Sequence, residues 1–481
     1  MLTFNNKIIT YNTKWIGDTY TPPEPVELPP YTIRVRTRDG FAPSAYPIDY
    51  QEPRYKLGTC TKVAGTDDTY DLHFESLDWS NFLHNCSNVI EVISGNTTNI
   101  TIMYGMFEGC SSLIYTALFD TSSATDMDHM FYNCSSLRWV PLFDTSSATD
   151  ISNMFDGCTS LTTVPLFDMT NVTSAGNMFS RCTSLRYVPL FDMSNVRTID
   201  GMFYSCTSLT TVPLFDTSNV VSMSGLFRNC TSLTTVPLFD TSNVHNMYQM
   251  FQNCTSLTTV PLFDTSNATS MASLFEGCTS LTSVPLLDVS SVTTANYGLW
   301  KMFKGCSSLT TIPLLDTSNI TRFQSMFEDC TSLTSVPLLD TSNATNMSDM
   351  FYGCTSLTTV PLFDTSKVEY VNEMFAECTS LTSVPQFNFS KVDEMKAIFH
   401  NCYNLEAIPL FTTNHIVNLS TAFWHCYKVA SGSLAFYQQV SAQSTTPMYH
   451  SNTFYQCGRD TVTGAAELAQ IPTSWGGTLS T

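Results

Sequence analysis

Cysteine recurs in this chain at a fixed step, and that step dictates the fold. Nine cysteines, from Cys86 to Cys278, lie 24 residues apart; one step of 28 leads to Cys306, and the 24-residue spacing then runs on to Cys426. A typical unit, starting at Met202, reads MFYSCTSLTTVPLFDTSNVVSMSG. A unit this short cannot bury its own apolar flank, so like units must stack, each covering the one before. The expectation is an α/β solenoid of about 15 coils around one shared core. Because such a core grows coil by coil, 481 residues need not divide into several globular domains.

Within a unit, Met223, Leu226, Phe227 and Cys230 fall at i, i+3, i+4 and i+7, the spacing of one face of a short helical turn. The position three before the cysteine is Phe in nearly every coil, as at Phe107, Phe131, Phe155 and Phe251, so a stacked Phe column accounts for much of the total of 32. After the cysteine, Leu233, Val236, Pro237 and Leu238 read as a short strand. Pro cannot donate to a ladder, which ends full pairing at or before Pro237. The tetrad Asp240 to Asn243 then makes a polar turn, its side chains bonding nearby backbone. Parallel coils repeat at about 4.8 Å, which predicts a rod roughly 70 Å long. Successive cysteines at that spacing do not suit a disulfide, whose Cβ atoms sit about 3.8 Å apart in a defined torsion. Buried, reduced thiols acting as small apolar filler are expected instead.

The signature N-V/A-T-x-M-x-x-M-F-x-x-C-x-S-L-x-x-V-P, spread over residues 82–430, resembles the BspA-like leucine-rich repeats of bacterial surface proteins. The resemblance implies a right-handed solenoid with a parallel sheet on one face and short helical turns on the other. It also implies use in adhesion or recognition, and no catalytic residues.

The remaining chain divides around this array. Residues 1–30 read as an attachment arm ending in the Pro-rich linker TPPEPVELPP, and 31–81, opening on YTIRVRTRDG, as a β-rich N-terminal cap. Residues 82–430 are the solenoid and 431–481 a C-terminal cap and tail, with a remnant of the repeat at Thr453 to Cys457 and a closing helix in GAAELAQIPTSWGG. The opening, MLTFNNKIITYNTKWIG, resembles the starts of some bacteriophage virion proteins. It lacks a basic segment followed by an apolar one, and no stretch approaches the 18 or so apolar residues of a membrane span. The expectation is a soluble chain without an export signal or lipid anchor of its own.

Charged residues are only 13% of the chain and the net charge is −20. The surface is therefore largely Ser, Thr and Asn, and the sign disfavours nucleic-acid backbones and anionic membranes.

Candidate sites are few. A column of aspartates from Asp120 to Asp364 stacks like charges, each pair costing roughly 1 kcal/mol at solvent dielectric. Local hydroxyls and turn amides can offset this; so could a row of Ca²⁺ ions, although no D-x-D-x-D spacing is present. No metal or cofactor is expected. Recognition residues are sought where the consensus breaks at an exposed strand position. Five residues after the cysteine, where most coils carry Thr or Ser, three early coils carry Tyr115, Trp139 and Tyr187, and two of these are preceded by Arg138 and Arg186. Aromatics with interspersed Arg suit a ligand-binding patch, and aromatic faces suit sugar rings. Tyr297 and Trp300, in the four-residue insertion before Met302, are candidates for an inter-chain interface. The eight histidines follow no repeat column, and no nucleophile–base motif or phosphate loop is present. The expected role is non-enzymatic recognition on a bacteriophage virion, as a tail or fibre-like component. The sheet face would bind a bacterial surface receptor, glycan or protein, and the N-terminal arm other virion proteins; a homo-oligomer stays open. The alternatives are a bacterial cell-surface adhesin and an inert spacer.

Overall fold

The computed structural model describes residues 28–43, 59–74, 76–293, 297–443 and 449–478, together with two short strands, β1 (Thr3–Phe4) and β2 (Lys7–Ile8), which pair antiparallel. Apart from these strands and residues 28–30, the predicted arm and linker lie outside the described residues, as do three residues of the insertion, 294–296.

Stacked coils form one continuous core. Sixteen of the seventeen cysteines are buried, all are free, and Cys60 is the exposed one. Each thiol from Cys134 to Cys426 donates to the carbonyl of the Phe in the preceding coil, and Cys110 to that of Leu83, which stands at the same place in the first coil; Cys230 Sγ, for example, lies 3.0 Å from the Phe203 oxygen. That oxygen also accepts the N–H of Cys206, so one carbonyl serves two donors. Burial pushes the thiols up, Cys86 to about 11 and Cys278 to about 12, and so holds them protonated.

The Phe column is present as predicted. Its rings stack with centroids 5.2 Å apart at Phe107–Phe131, 5.9 Å at Phe179–Phe203 and 5.8 Å at Phe227–Phe251, within the offset-stacked range. It crosses the insertion unbroken, Phe275 to Phe303 at 5.8 Å. A second column lies nine residues after the cysteine: Phe215, Phe239 and Phe263 repeat at 6.4 and 6.5 Å.

The side expected to carry helical turns is built differently from a helix. In the coil of Cys230, the N–H groups of Leu226, Arg228 and Cys230 close three overlapping turns on the carbonyls three residues back. The intervening N–H groups, on Met223, Gly225, Phe227 and Asn229, leave the coil and donate to Asn246, Tyr248, Met250 and Gln252 of the next. Two residues per coil, five and one before the cysteine, take the left-handed conformation; here they are Gly225 (φ 60°) and Asn229 (φ 63°). An α-helix satisfies its amides internally, whereas this segment alternates inward and onward bonds, and so has no helical ladder.

The segment after the cysteine also departs from expectation. Burial recurs at every third residue, Leu233, Val236 and Phe239, not at every second. One long backbone bond per coil links neighbours, such as Thr234 N to Thr210 O at 3.3 Å. A tight bend follows, with Phe239 N bonded to Pro237 O at 3.0 Å, an i to i−2 turn that throws Leu238 outward. The predicted parallel sheet is therefore sparse on this face. A regular parallel bridge runs instead eight residues before the cysteine, as at Thr198–Ser222–Asn246.

The polar tetrad locks neighbours together. Ser242 gives its N–H and its hydroxyl to Asp240 Oδ1 at 3.0 and 2.7 Å. Buried Thr241 donates to the Asp264 carbonyl of the next coil, and Asn243 Nδ2 to the Ser218 carbonyl of the previous one.

At the N-terminal end, β3 (Thr32–Thr37), β4 (Cys60–Lys62), β5 (Thr69–His73), β6 (Val89–Asn96) and β7 (Tyr115–Thr116) form a sheet of order β4-β5-β3-β6-β7. All pairs are antiparallel except β6–β7, which joins this sheet to the coils. Near the other end, β8 (Asn388–Phe389) and β9 (Thr412–Thr413) pair in parallel. Helix α1 (Ser433–Gln443) then packs Phe436 edge-on against Phe411 and Phe423. Tyr449 to Cys457 is a complete further turn segment, with Phe454 stacked 5.5 Å from Phe423. Helix α2 (Val462–Leu468) follows, N-capped by Thr461.

Burial and like charges set some carboxylates against the fold, Asp349 most of all. The Asp349 carboxyl is pushed up to about 6 by burial, then by Glu328 and Glu373. The ordinary value being about 3.9, the charged form is disfavoured in the folded state, so stability falls as pH rises from about 4 to 6 and stays lower above. A shift of this size corresponds to roughly 3 kcal/mol before screening, and to about 1 kcal/mol for a partly exposed group. Asp349→Asn is therefore expected to raise the unfolding midpoint at pH 7.5. Asn also suits the left-handed backbone here (φ 56°). Urea titrations at pH 7.5 and pH 4 check this; a gain no larger at pH 7.5 than at pH 4 contradicts it.

Candidate binding face

The face that follows each cysteine exposes two positions, four and five residues on, then a bend, then the aspartate. The predicted residues sit near its N-terminal end. Tyr115 is in β7, opposite Glu91 of β6, and is half-buried rather than solvent-facing because the strand on one side and the next coil on the other cover it. Trp139 pairs in parallel with Tyr115 and is 40% exposed; Tyr187, two coils further, is 62% exposed. Arg138 and Arg186 are exposed beside them, with Ile114, 38% exposed, completing the first group. Arg38 from the N-terminal sheet reaches the same surface, bonding Ser112 at 3.4 Å. The structure thus brings Tyr115, Arg138 and Trp139 together and leaves Arg186 and Tyr187 as a second cluster along the same column.

Tyr297 and Trp300 lie on the turn side, away from this face. Tyr297 is 54% exposed, its ring 5.7 Å from that of Trp300, and Lys301 Nζ sits 4.4 Å above the Trp300 ring.

The aspartate column is accounted for by its neighbours. The Asp216 carboxyl is lowered by the Ser218 hydroxyl and then by the Ser218 N–H, and the same holds for Asp264 with Ser266. Among the described residues, no group of three or more His, Cys, Asp or Glu could hold a metal ion.

Sequence reasoning missed one feature of this face. Leu118 to Leu362, one per coil and eleven in all, are 43–62% exposed, a continuous apolar row between the Thr/Ser columns and the aspartates. The signal was the L-x-x-V-P-L-F spacing, in which only every third residue can point inward. The row breaks at Gln386, whose Nε2 donates to the Leu410 carbonyl, beside α1.

Comparison with known proteins bears on the repeat. The family described as "Mycoplasma protein of unknown function, DUF285" matches residues 78–188, 187–285, 259–357, 297–408 and 336–442. No curated protein matches. Among solved structures, the chain is similar to a leucine-rich repeat protein from Eubacterium ventriosum, at 19% identity over 60% of this chain and 83% of that one, with a TM-score of 0.35. An internalin from Listeria monocytogenes is similar at 15% identity over 66% and 86%, TM-score 0.22. A leucine-rich repeat protein from Leptospira interrogans is similar at 10% identity over 66% and 86%, TM-score 0.20.

Proposed function

The chain belongs to the family described as Mycoplasma protein of unknown function, DUF285, and from that premise we propose that it is a non-enzymatic recognition protein, binding through its post-cysteine face. A leucine-rich-repeat solenoid suits an interaction or adhesion role: it holds a long surface rigid while single positions vary without disturbing the core. The observation that carries the reading is the pair of clusters, Arg138 with Trp139 and, two coils on, Arg186 with Tyr187, exposed in columns otherwise mostly of Thr and Ser. Large aromatic and guanidinium groups exposed at no structural benefit are the composition of binding hot spots. The partner we propose is a bacterial surface receptor, a glycan stacked on the aromatic groups or a protein anchored by them.

We place the protein on a bacteriophage virion, as a tail or fibre-like component held by residues 1–30. The support is the likeness of its first 20 or so residues to the starts of virion proteins. Mass spectrometry of purified particles tests this, and particles lacking the chain exclude it. A cell-surface adhesin is the second reading, favoured by the family's description as a Mycoplasma protein, that is, by a bacterial rather than a viral source for the repeat.

Replacing Tyr115, Trp139 and Tyr187 together with Thr is expected to lower binding to bacterial cells at least tenfold while leaving the melting temperature within a few degrees. Full binding by the triple variant, measured by pull-down with fluorescent protein, removes the face from consideration.

A further inference from the structure

We propose that the leucine row is a self-association surface, through which two copies of this chain pair side by side, parallel and in register. The row is continuous over eleven coils; each leucine precedes a buried Phe or Leu and all but Leu118 follow a proline, with the bend closed by a backbone bond in coils such as Phe143 to Pro141, Phe239 to Pro237 and Phe363 to Pro361. A fully exposed Leu side chain presents on the order of 100 Å² of apolar surface. Eleven of them, at 43–62% exposure, offer about 600 Å² per copy and about 1,200 Å² for a pair, at the threshold of a specific interface. Single exposed leucines need no explanation, but a contiguous row of this size does.

The spacing selects the occupant. Phe215, Phe239 and Phe263, next to the leucines in the chain, repeat at 6.4 and 6.5 Å. A helix laid along the row presents one turn every 5.4 Å or so and loses step by about 1 Å per coil, nearly a whole coil after five. A second copy has the same repeat by identity and stays in step along the entire row.

Charge selects the orientation. On one flank of the row stand the exposed aspartates, two residues beyond each leucine; on the other stand the Thr and Ser columns with Arg138 and Arg186. A two-fold axis across the rods would make them antiparallel and set aspartates against aspartates. A two-fold axis along the rods sets the aspartates of each copy against the hydroxyls of the other and leaves the two arginines at the rim. Since each copy also carries −20, association should strengthen as salt screens the net repulsion.

Sedimentation equilibrium of the full chain is expected to give 2 × 53.5 = 107 kDa, with the monomer fraction falling as salt is raised. The double variant Leu214→Asp, Leu238→Asp should dissociate at least 100-fold more readily while keeping the melting temperature of its monomer. For orientation, Leu142→Cys and Leu338→Cys are made separately on a Cys60→Ser background, the other cysteines being buried. Each variant should then cross-link to itself. A monomer at every concentration and salt overturns the proposal, as does a dimer indifferent to the Asp substitutions. Cross-linking only in a mixture of the two Cys variants overturns the parallel orientation.

Discussion

Phe251→Ala is expected to lower the stability of the array by about 4 kcal/mol, the cost of a large cavity at a fully buried site with no means of collapse. Phe251 stacks 5.8 Å from both Phe227 and Phe275 and lies 6.1 Å from Phe263 of the second column. Removing its ring severs the aromatic contact on both sides of one coil. In a molecule whose coils touch mainly their neighbours, a central defect should also divide the cooperative unit, so the urea transition broadens or splits. Phe454→Ala, in the last turn segment, removes one stacking contact, with Phe423, and should cost about half as much with the transition still single. Denaturation followed by fluorescence checks both; equal losses at the two sites would contradict the nearest-neighbour account.

Gly277→Val is expected to cost about 3 kcal/mol, and Gly277→Asn less than about 1 kcal/mol. Gly277 has φ +73°, and a Cβ there meets Asn253 Oδ1. Valine adds a branched carbon that the left-handed region resists and that cannot turn away. Asn is tolerated at the equivalent position of other coils, as at Asn229 (φ 63°) and Asn253 (φ 59°). There the side chains bond one another along the column, Asn253 Nδ2 to Asn229 Oδ1 at 2.9 Å, which shows how the crowding is relieved. Thermal melts of the two variants separate a backbone effect from a purely steric one, because steric crowding alone would penalise both.

The repeat, its core columns and its stacking were legible because they follow from period and polarity alone. Phe227 and Cys230 face inward whether the backbone between them is a helix or a series of turns, so the 3-4-7 spacing could not distinguish the two. The discriminating signal lay at the positions five and one before the cysteine, where Asn153, Gly157, Asn177, Gly201, Gly225 and Asn229 accept the left-handed backbone readily. It was obscured by Arg181 and Glu377, which adopt the same conformation because the onward bonds, Arg181 N to Tyr204 O and Glu377 N to His400 O, over-determine it. After the cysteine, a proline already argued against a regular strand, and the triple spacing of Leu233, Val236 and Phe239 completed that case. The aromatic positions stand out in the sequence because they break a consensus. The leucine row does not, because Leu238 is the consensus, and a leucine in every repeat invites the assumption that it is core.

The onward amides of the turn segment give the rod a sense of direction. Three or four N–H groups per coil donate to carbonyls of the next coil and none of that segment donates to a carbonyl of the previous one, so one extremity is rich in donors and the other in acceptors. The donor extremity is closed in part by the chain itself, the Trp475 carbonyl taking the amide of Phe454. Added coils can therefore be spliced in anywhere along the length, whereas turning a block of them end for end would set amide against amide and carbonyl against carbonyl.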